Sequence, residues 1–193
     1  LHLCDYNLES IDTTSMTTTS DTLLAEVCYA AKEEGGLIKT RYTPYQQTNE
    51  GSQLCTVLAR SFADIGDIVR GKDLFYGNPQ EKEQREKLDE NLKTIFQQIH
   101  GNVMNGSNGE LKSRYENDTA NYSKLREDWW TANRATVWKA ITCDAGGYSY
   151  FRPTCNGGKL TEGYCRCKGD QPGNDKENTD PPTYFDYVPQ YLR

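Results

Sequence analysis

The stretch Gly51–Leu74, "GSQLCTVLARSFADIGDIVRGKDL", decides how this chain is read. Leu54, Leu58, Phe62, Ile65 and Val69 step by 4, 4, 3 and 4 residues, which puts them on one helix face, and Val57 and Ile68 widen that face. A helix is predicted over Ser52–Arg70, with Gly71 as the residue just past its end. Asp64, Gly66 and Asp67 interrupt an otherwise apolar run. Glycine inside a helix costs about 1 kcal/mol against alanine. It is retained where another element must approach the backbone, so Gly66 is expected to face a packed neighbour. Asp64 and Asp67 lie off the apolar stripe, and one or the other is expected to pair with an arginine, with Arg126 and Arg134 as candidates.

The neighbouring segments repeat the helical pattern. Upstream, Leu23, Leu24, Val27, Cys28, Ala30 and Ala31 mark a helix over about Asp21–Glu34, with Gly35-Gly36 as its stop and Thr40–Gly51 as a connecting loop. Downstream, Asn78 caps a helix that has Pro79 at its first position and Glu81 at its third. Its stripe is Leu88, Leu92, Ile95, Phe96 and Ile99, its surface carries Glu81–Arg85 and Glu83–Lys87 pairs, and Gly101 ends it. "GNVMNGSNGE" follows as an exposed loop. Thr119–Thr142 is the most hydrophobic helix: Leu125, Trp129 and Ala132 on one face, Trp130, Val137, Trp138 and Ile141 on the next. Beyond Gly146 the sequence turns Gly- and Cys-rich. Lys168–Pro182 holds no apolar side chain and is expected to be mobile, and Pro189 is placed to open a further helix.

Composition limits the chemistry. Of 193 residues, 35% are hydrophobic, so the core is expected to be thin, and the net charge of −6 argues against a nucleic-acid binder. No apolar window is long enough to insert into a membrane. Seven cysteines (Cys4, Cys28, Cys55, Cys143, Cys155, Cys165 and Cys167) point to disulfides in an oxidising compartment. Cys143, Cys155, Cys165 and Cys167 lack the paired short spacing of a zinc site, so a metal is not expected among them. The two histidines, His2 and His100, accompany no hydrolase or metalloprotease motif, and His100 is read as a solvent-facing or capping group in the last turn of its helix. Asp64 with Asp67, and Glu127 with Asp128, are read as structural carboxylates rather than an acid–base pair. "GKDLFYGN" and "CNGGKL" lack phosphate-loop spacing. Lys32, Lys39, Arg41, Lys112, Arg114 and Lys124 are scattered among acids, too dispersed for a polyanion site unless folding gathers them. Asn105, Asn117 and Asn121 each begin a glycosylation-type triplet. No catalytic residue and no cofactor is expected.

Five segments carry a resemblance: "LHLCDYNLESI", "LLAEVCYAAKEEG", "GSQLCTVLARSFADIGDIVRGKDL", "WWTANRATVWKAITC" and "YFDYVPQYLR". In this order they resemble a Duffy-binding-like domain, of the alpha class found at the head of Plasmodium falciparum erythrocyte membrane protein 1. The resemblance implies a mainly α-helical bundle with long loops and disulfides, and the helical stripes above place Leu54, Leu58, Phe62, Ile65, Val69, Leu125, Trp129, Trp130, Val137 and Trp138 in its structural core. It also implies that residues 1–193 are a partial domain, truncated at both ends. They are mostly its middle subdomain, with a Cys/Gly-rich and polar loop over 146–183 and the start of the next subdomain at 184–193. Cys4 is then expected to pair upstream, and bridges are expected among Cys143, Cys155, Cys165 and Cys167, which allow three connectivities. The implied role is adhesion by a variant antigen on the infected red-cell surface. Its expected partners are a host cell-surface protein or glycan, host antibodies and adjacent domains of the same chain, with loops 102–121 and 155–182 as the variable surface. The alternatives are a scaffold that positions a neighbouring receptor-binding domain, an erythrocyte-invasion ligand of the same fold, and a glycan-processing enzyme.

Overall fold

A computed structural model describes residues 19–46, 53–74, 77–150, 152–155, 157–176 and 179–193, without the side chains of 43–46. The chain is mainly helical. Its helices are α1 (Thr19–Gln46), α2 (Leu54–Arg70), α3 (Pro79–Asn105), α4 (Gly109–Tyr115) and α5 (Ser123–Ile141), followed by two short 3-10 turns at Phe185–Tyr187 and Gln190–Leu192. Among the described residues β-pairing is limited to two isolated bridges, Cys155 with Lys159 and Gln171 with Asn174. The chain divides into two compact units. Of the described residues, one holds Cys28–Ile65 and Arg134–Arg193; the other holds 19–27 and Gly66–Asn133. Helices α1, α2 and α5 each contribute residues to both.

In the unit built from Cys28–Ile65 and Arg134–Arg193, Leu54, Leu58, Phe62, Ile65, Val137, Trp138 and Ile141 are buried. Phe62 meets Trp138 edge to face at 5.2 Å. Gly35 and Gly36 do not stop α1, which continues eleven residues past Gly35, through Pro44, to Gln46. A Cβ on Gly35 would stand 2.0 Å from the Ile141 carbonyl oxygen, so the glycine is there for contact between two backbones. The residue that can break a helix is also the one that lets another helix touch it, and only the neighbour decides which.

In the unit built from 19–27 and Gly66–Asn133, Val69, Leu88, Leu92, Ile95, Phe96, Leu125, Trp129 and Trp130 are buried, whereas Ala132 is exposed. Phe96 meets Trp129 edge to face at 6.0 Å. Gly71, at φ +68°, closes α2: its N–H donates to Ile68 O at 3.1 Å and that of Lys72 to Asp67 O at 2.8 Å, the paired bonds of a left-handed C-terminal cap. The carbonyls at that end also accept from the buried Arg126, whose Nε reaches Val69 O at 2.7 Å and whose Nη2 reaches Ile68 O at 3.2 Å. Helix α3 begins with a reciprocal cap. Asn78 Oδ1 accepts from the Glu81 N–H at 2.9 Å, and the Asn78 N–H donates to Glu81 Oε2 at 3.1 Å. Glu81 is thus turned toward the cap and Arg85 meets Asp73 at 3.5 Å, while Lys87 and Glu83 pair at 2.8 Å. Helix α3 passes Gly101 and ends at Asn105. Part of the segment expected to be loop forms α4, whose first N–H groups donate to Asn108 Oδ1 at 3.0 and 3.2 Å. At the start of α5, the Leu125 N–H donates to Asp118 Oδ2 at 2.9 Å.

Gly66 does face a packed element: its Cβ position lies 2.7 Å from Cζ2 of the fully buried Trp130 indole. Gly101, also within a helix, has no side-chain or distant backbone atom within 4 Å of its Cβ position. The same substitution is therefore expected to act with opposite signs. Gly66→Ala should destabilise by about 1–3 kcal/mol through overpacking, and Gly101→Ala should stabilise by about 0.5–1 kcal/mol through helix propensity. Urea denaturation of both variants checks this; a shift of the same sign in both would refute the packing assignment.

Candidate functional site

Two surfaces present exposed loop tips on a fixed frame, one in each unit. In the unit that ends at Arg193, residues 157–160 and 171–176 are exposed, Leu160 among them. Two disulfides hold this region: Cys55–Cys165 and Cys155–Cys167. Cys165 is thus joined to Cys55 on α2 rather than to another late cysteine, and Cys143 is a half-buried thiol. With Cys155, Cys165 and Cys167 oxidised, they supply no thiolate to a metal. Cys28 is also a thiol, and burial pushes it up to about 11, so it stays protonated and unreactive. Cys4 and His2 lie outside the described residues.

The segment expected to be mobile, Lys168–Pro182, is instead latched at Asp170 and Lys176. Asp170 is fully buried; its Oδ2 takes a bond from Arg166 Nη1 at 3.2 Å, and Lys139 Nζ stands 3.4 Å from its Oδ1. Asp170 Oδ1 also accepts from the Lys176 N–H. Arg166 itself reaches back to Thr142 Oγ1 at 2.7 Å and Lys139 O at 2.5 Å. A loop without apolar side chains cannot be held by hydrophobic burial, so charge holds it at its stem and leaves its tip in water.

In the other unit the exposed tip is residues 105–110, between α3 and α4. His100 is part-buried within α3 rather than capping it; its Nε2 is 2.9 Å from Tyr115 O and its ring lies 5.2 Å from that of Tyr122. Arg114 makes a two-pronged contact with Asp128, 2.6 Å from Nε and 2.8 Å from Nη2, and the Tyr115 hydroxyl donates to the same carboxylate at 2.7 Å. The Arg114 bonds, with help from Tyr115, hold the Asp128 carboxyl below its ordinary range. Asn105, Asn117 and Asn121 are exposed in this region. A shallow cavity of about 450 Å³ lies between the end of α2 and the first half of α3, lined by Ile68, Gly71, Asp73, Lys82, Arg85 and Asp89 among others. Its lining mixes both signs of charge.

Both interrupting aspartates of α2 meet arginines, but not the expected ones. Asp67 is buried and pairs at 3.0 Å with Arg70 on its own helix, which also reaches Glu127 at 3.1 Å. Asp64 pairs with Arg193 at 3.0 Å. Arg126 is occupied by the α2 carbonyls and by Asp89 at 2.9 Å, and Arg134 by Asp186 at 2.8 Å. Pro189 precedes a single 3-10 turn. Asp67 and Arg70 stand at the i,i+3 spacing of one helix face, whereas Asp64 and Arg193 lie 129 residues apart and no local signal joins them.

Glu34 is a further buried carboxyl, accepting from the Ser61 hydroxyl at 2.9 Å. Desolvation pushes it above the ordinary carboxylate range, against the smaller opposing pull of Ser61. A raised folded-state value favours the fold at pH below the unfolded value, about 4.3, and this contribution is lost as pH rises through the folded value. Glu34→Gln keeps the acceptor and removes the titration. The variant is expected to gain stability over the parent as pH rises from about 4 to 7; parallel pH profiles in urea denaturation would contradict the assignment.

Among the described residues no helix is long and apolar enough to cross a membrane. The family model of the Duffy binding domain matches residues 1–193. No curated protein sequence matches the chain. Among solved structures, the chain is similar to the NTS-DBL1(alpha-1) domain of Plasmodium falciparum membrane protein 1 (PfEMP1) from the varO strain. The two are 40% identical with a TM-score of 0.71, over 99% of this chain and 40% of that one. It is similar at 40% identity and TM-score 0.74 to the NTS-DBL1-alpha and CIDR-gamma double domain of the same strain, over 99% of this chain and 25% of that one. It is similar at 31% identity and TM-score 0.67 to the ICAM-1-binding DBLbeta domain of PfEMP1 IT4var13, over 100% of this chain and 39% of that one. The chain therefore spans less than half the length of each of these neighbours. Helical architecture, two disulfides and a match along its whole length agree: the chain belongs to the Duffy binding domain family.

Proposed function

We propose that this chain is part of an adhesion module displayed outside the infected erythrocyte, and that it touches host cell-surface protein or glycan through its loop tips without performing chemistry. The similarity along the whole chain to a PfEMP1 domain described as ICAM-1-binding carries this reading. The frame supports it physically. Residues 157–160, 171–176 and 105–110 are exposed and add no core side chain, so they can change sequence at little cost in stability. Such tips suit rosetting or endothelial adhesion, and they suit escape from host antibodies. The net charge of −6 disfavours heparan sulfate as the ligand. A second reading, a scaffold that positions a neighbouring receptor-binding domain, is favoured by the chain spanning 40% or less of its structural neighbours. Beads coated with the 193-residue chain, its helicity checked by circular dichroism, separate the two when offered erythrocytes, endothelial cells and immobilised ICAM-1. Capture that falls when residues 171–176 are replaced by Gly and Ser supports the adhesion reading; capture of none of the three overturns it for this chain.

A further inference from the structure

The cavity of about 450 Å³ between the end of α2 and the first half of α3 has the size of a small-molecule site. Its charges are sorted along α3. Lys82 and Arg85 come first, and Glu86, Asp89 and Glu90 follow. Five residues separate Arg85 from Glu90, a rise of about 7.5 Å along a helix. Ile68 and Leu88, both buried, supply the apolar part of the wall. The fold does not use up these charges. Arg85 stands 3.5 Å from Asp73, and Asp89 accepts from Arg126 at 2.9 Å. Lys82 and Glu86 are 3.7 Å apart and both largely in water, a contact of little strength. Among the described residues nothing pairs with the Glu90 carboxylate. A buried donor adjoins the same wall. Arg126 is 2% exposed, and its Nε and Nη2 are engaged by Val69 O, Ile68 O and Asp89. Nothing among the described residues accepts from its Nη1. That nitrogen lies 2.9 Å from where a Cβ on the lining residue Gly71 would stand, so the glycine that closes α2 also leaves this donor uncovered.

A ligand of one sign fits this cavity poorly. An anion would meet Glu86 and Glu90, and a cation would meet Lys82 and Arg85. A ligand that carries both signs meets each with its opposite. We propose that the cavity recognises a lysine-type zwitterion, in which a carboxylate and a primary ammonium are joined through a short run of methylenes. The carboxylate accepts from Lys82, Arg85 and the open Nη1 of Arg126, the ammonium donates to Glu86 and Glu90, and the methylenes lie on Ile68 and Leu88. Hydrogen bonds with charge on both partners are the strong ones, and a buried donor that gains an acceptor recovers the cost of standing unpaired. The described lining holds carboxylates and no aromatic ring, which suits a primary ammonium over a quaternary one. A free amino acid and a polypeptide ending in lysine both present this chemistry. The site goes beyond the adhesion reading and uses none of its loop tips.

Isothermal titration calorimetry of the 193-residue chain with ε-aminocaproate, hexanoate and hexylamine tests this. The zwitterion is expected to bind saturably, and each of its halves at least about tenfold more weakly. Lys82→Gln and Glu90→Gln alter exposed side chains, so the melting temperature is expected to hold while the affinity for ε-aminocaproate falls about tenfold. Glu83→Gln removes the same charge from a position outside the lining and is expected to leave the affinity unchanged. Either half binding as tightly as the zwitterion overturns the proposal. So does an unaltered affinity in Glu90→Gln, an equal loss in Glu83→Gln, or the absence of saturable binding. A lysine-terminated peptide, offered as its free acid and as its amide, separates the sources: binding of the acid alone assigns a chain end, and binding of ε-aminocaproate without either peptide assigns a free amino acid. Host-cell capture by coated beads is read separately, so failure of one reading leaves the other standing.

Discussion

Converting Cys55 and Cys165 together to alanine is expected to destabilise the fold more than converting Cys155 and Cys167. The first bridge closes a separation of 110 residues and the second one of 12. Chain-entropy reasoning puts the stabilisation at about 4.7 kcal/mol for a loop of roughly 100 residues and about 3 kcal/mol for one of roughly 15. Native contacts add to the difference. Cys165 is fully buried, its carbonyl accepts from Trp138 Nε1 at 3.1 Å, and its N–H donates to Tyr148 O at 2.9 Å. The bridge therefore ties α2 to the loop at the residue where α5 meets that loop, and its loss loosens all three. Urea denaturation of the two double variants measures the effect. Equal losses, or a greater loss for the short bridge, would show that the long-range tether does not carry this unit.

Asp186→Ala is the second large effect. The substitution leaves the Arg134 guanidinium in a buried site with its carboxylate partner gone, and stranding a buried charge costs about 3–5 kcal/mol. Phe62, Tyr184 and Tyr187 surround that guanidinium and offer only their π faces. The unfavourable environment belongs to the unpaired charge, not to the loss of the pair. Arg134→Met combined with Asp186→Leu should therefore recover most of the stability lost in Asp186→Ala. A double variant as unstable as the single one would mean that the pair's hydrogen bonds, including that to Thr183 O, dominate. Melting temperatures and denaturant midpoints of the three proteins decide between the two accounts.

The helices were legible because their signals are local. The stripe from Leu54 to Val69 is a statement about residues three and four apart, and those side chains share a face whatever else the chain does. The cap at Asn78 and Glu81 closes over three residues. Gly71 ends α2 through bonds that span three to five residues. Helix α4 carried the same kind of signal: Asn108 as cap, Glu110 in the first turn, and Lys112 and Arg114 in the last. It was hidden only by the density of glycine and asparagine around it.

The errors fall where one residue type serves two purposes. Gly35-Gly36 reads as a stop because glycine frays helices, yet the Ile141 carbonyl beside Gly35 makes it a crossing point. Lys168–Pro182 reads as mobile because it lacks apolar residues, yet the Asp170 carboxylate meets Arg166 and Lys139 and anchors the stem.

From the order of its residues alone, this chain was committed to amphipathic helices, their caps, an acidic surface and an oxidised cysteine framework, each set by neighbours within a turn or by composition. Which cysteine joins which, and which arginine neutralises Asp64 and Asp186, came only with folding. Those choices are made by atoms brought together across as many as 129 residues, and no local periodicity encodes the partner at the other end.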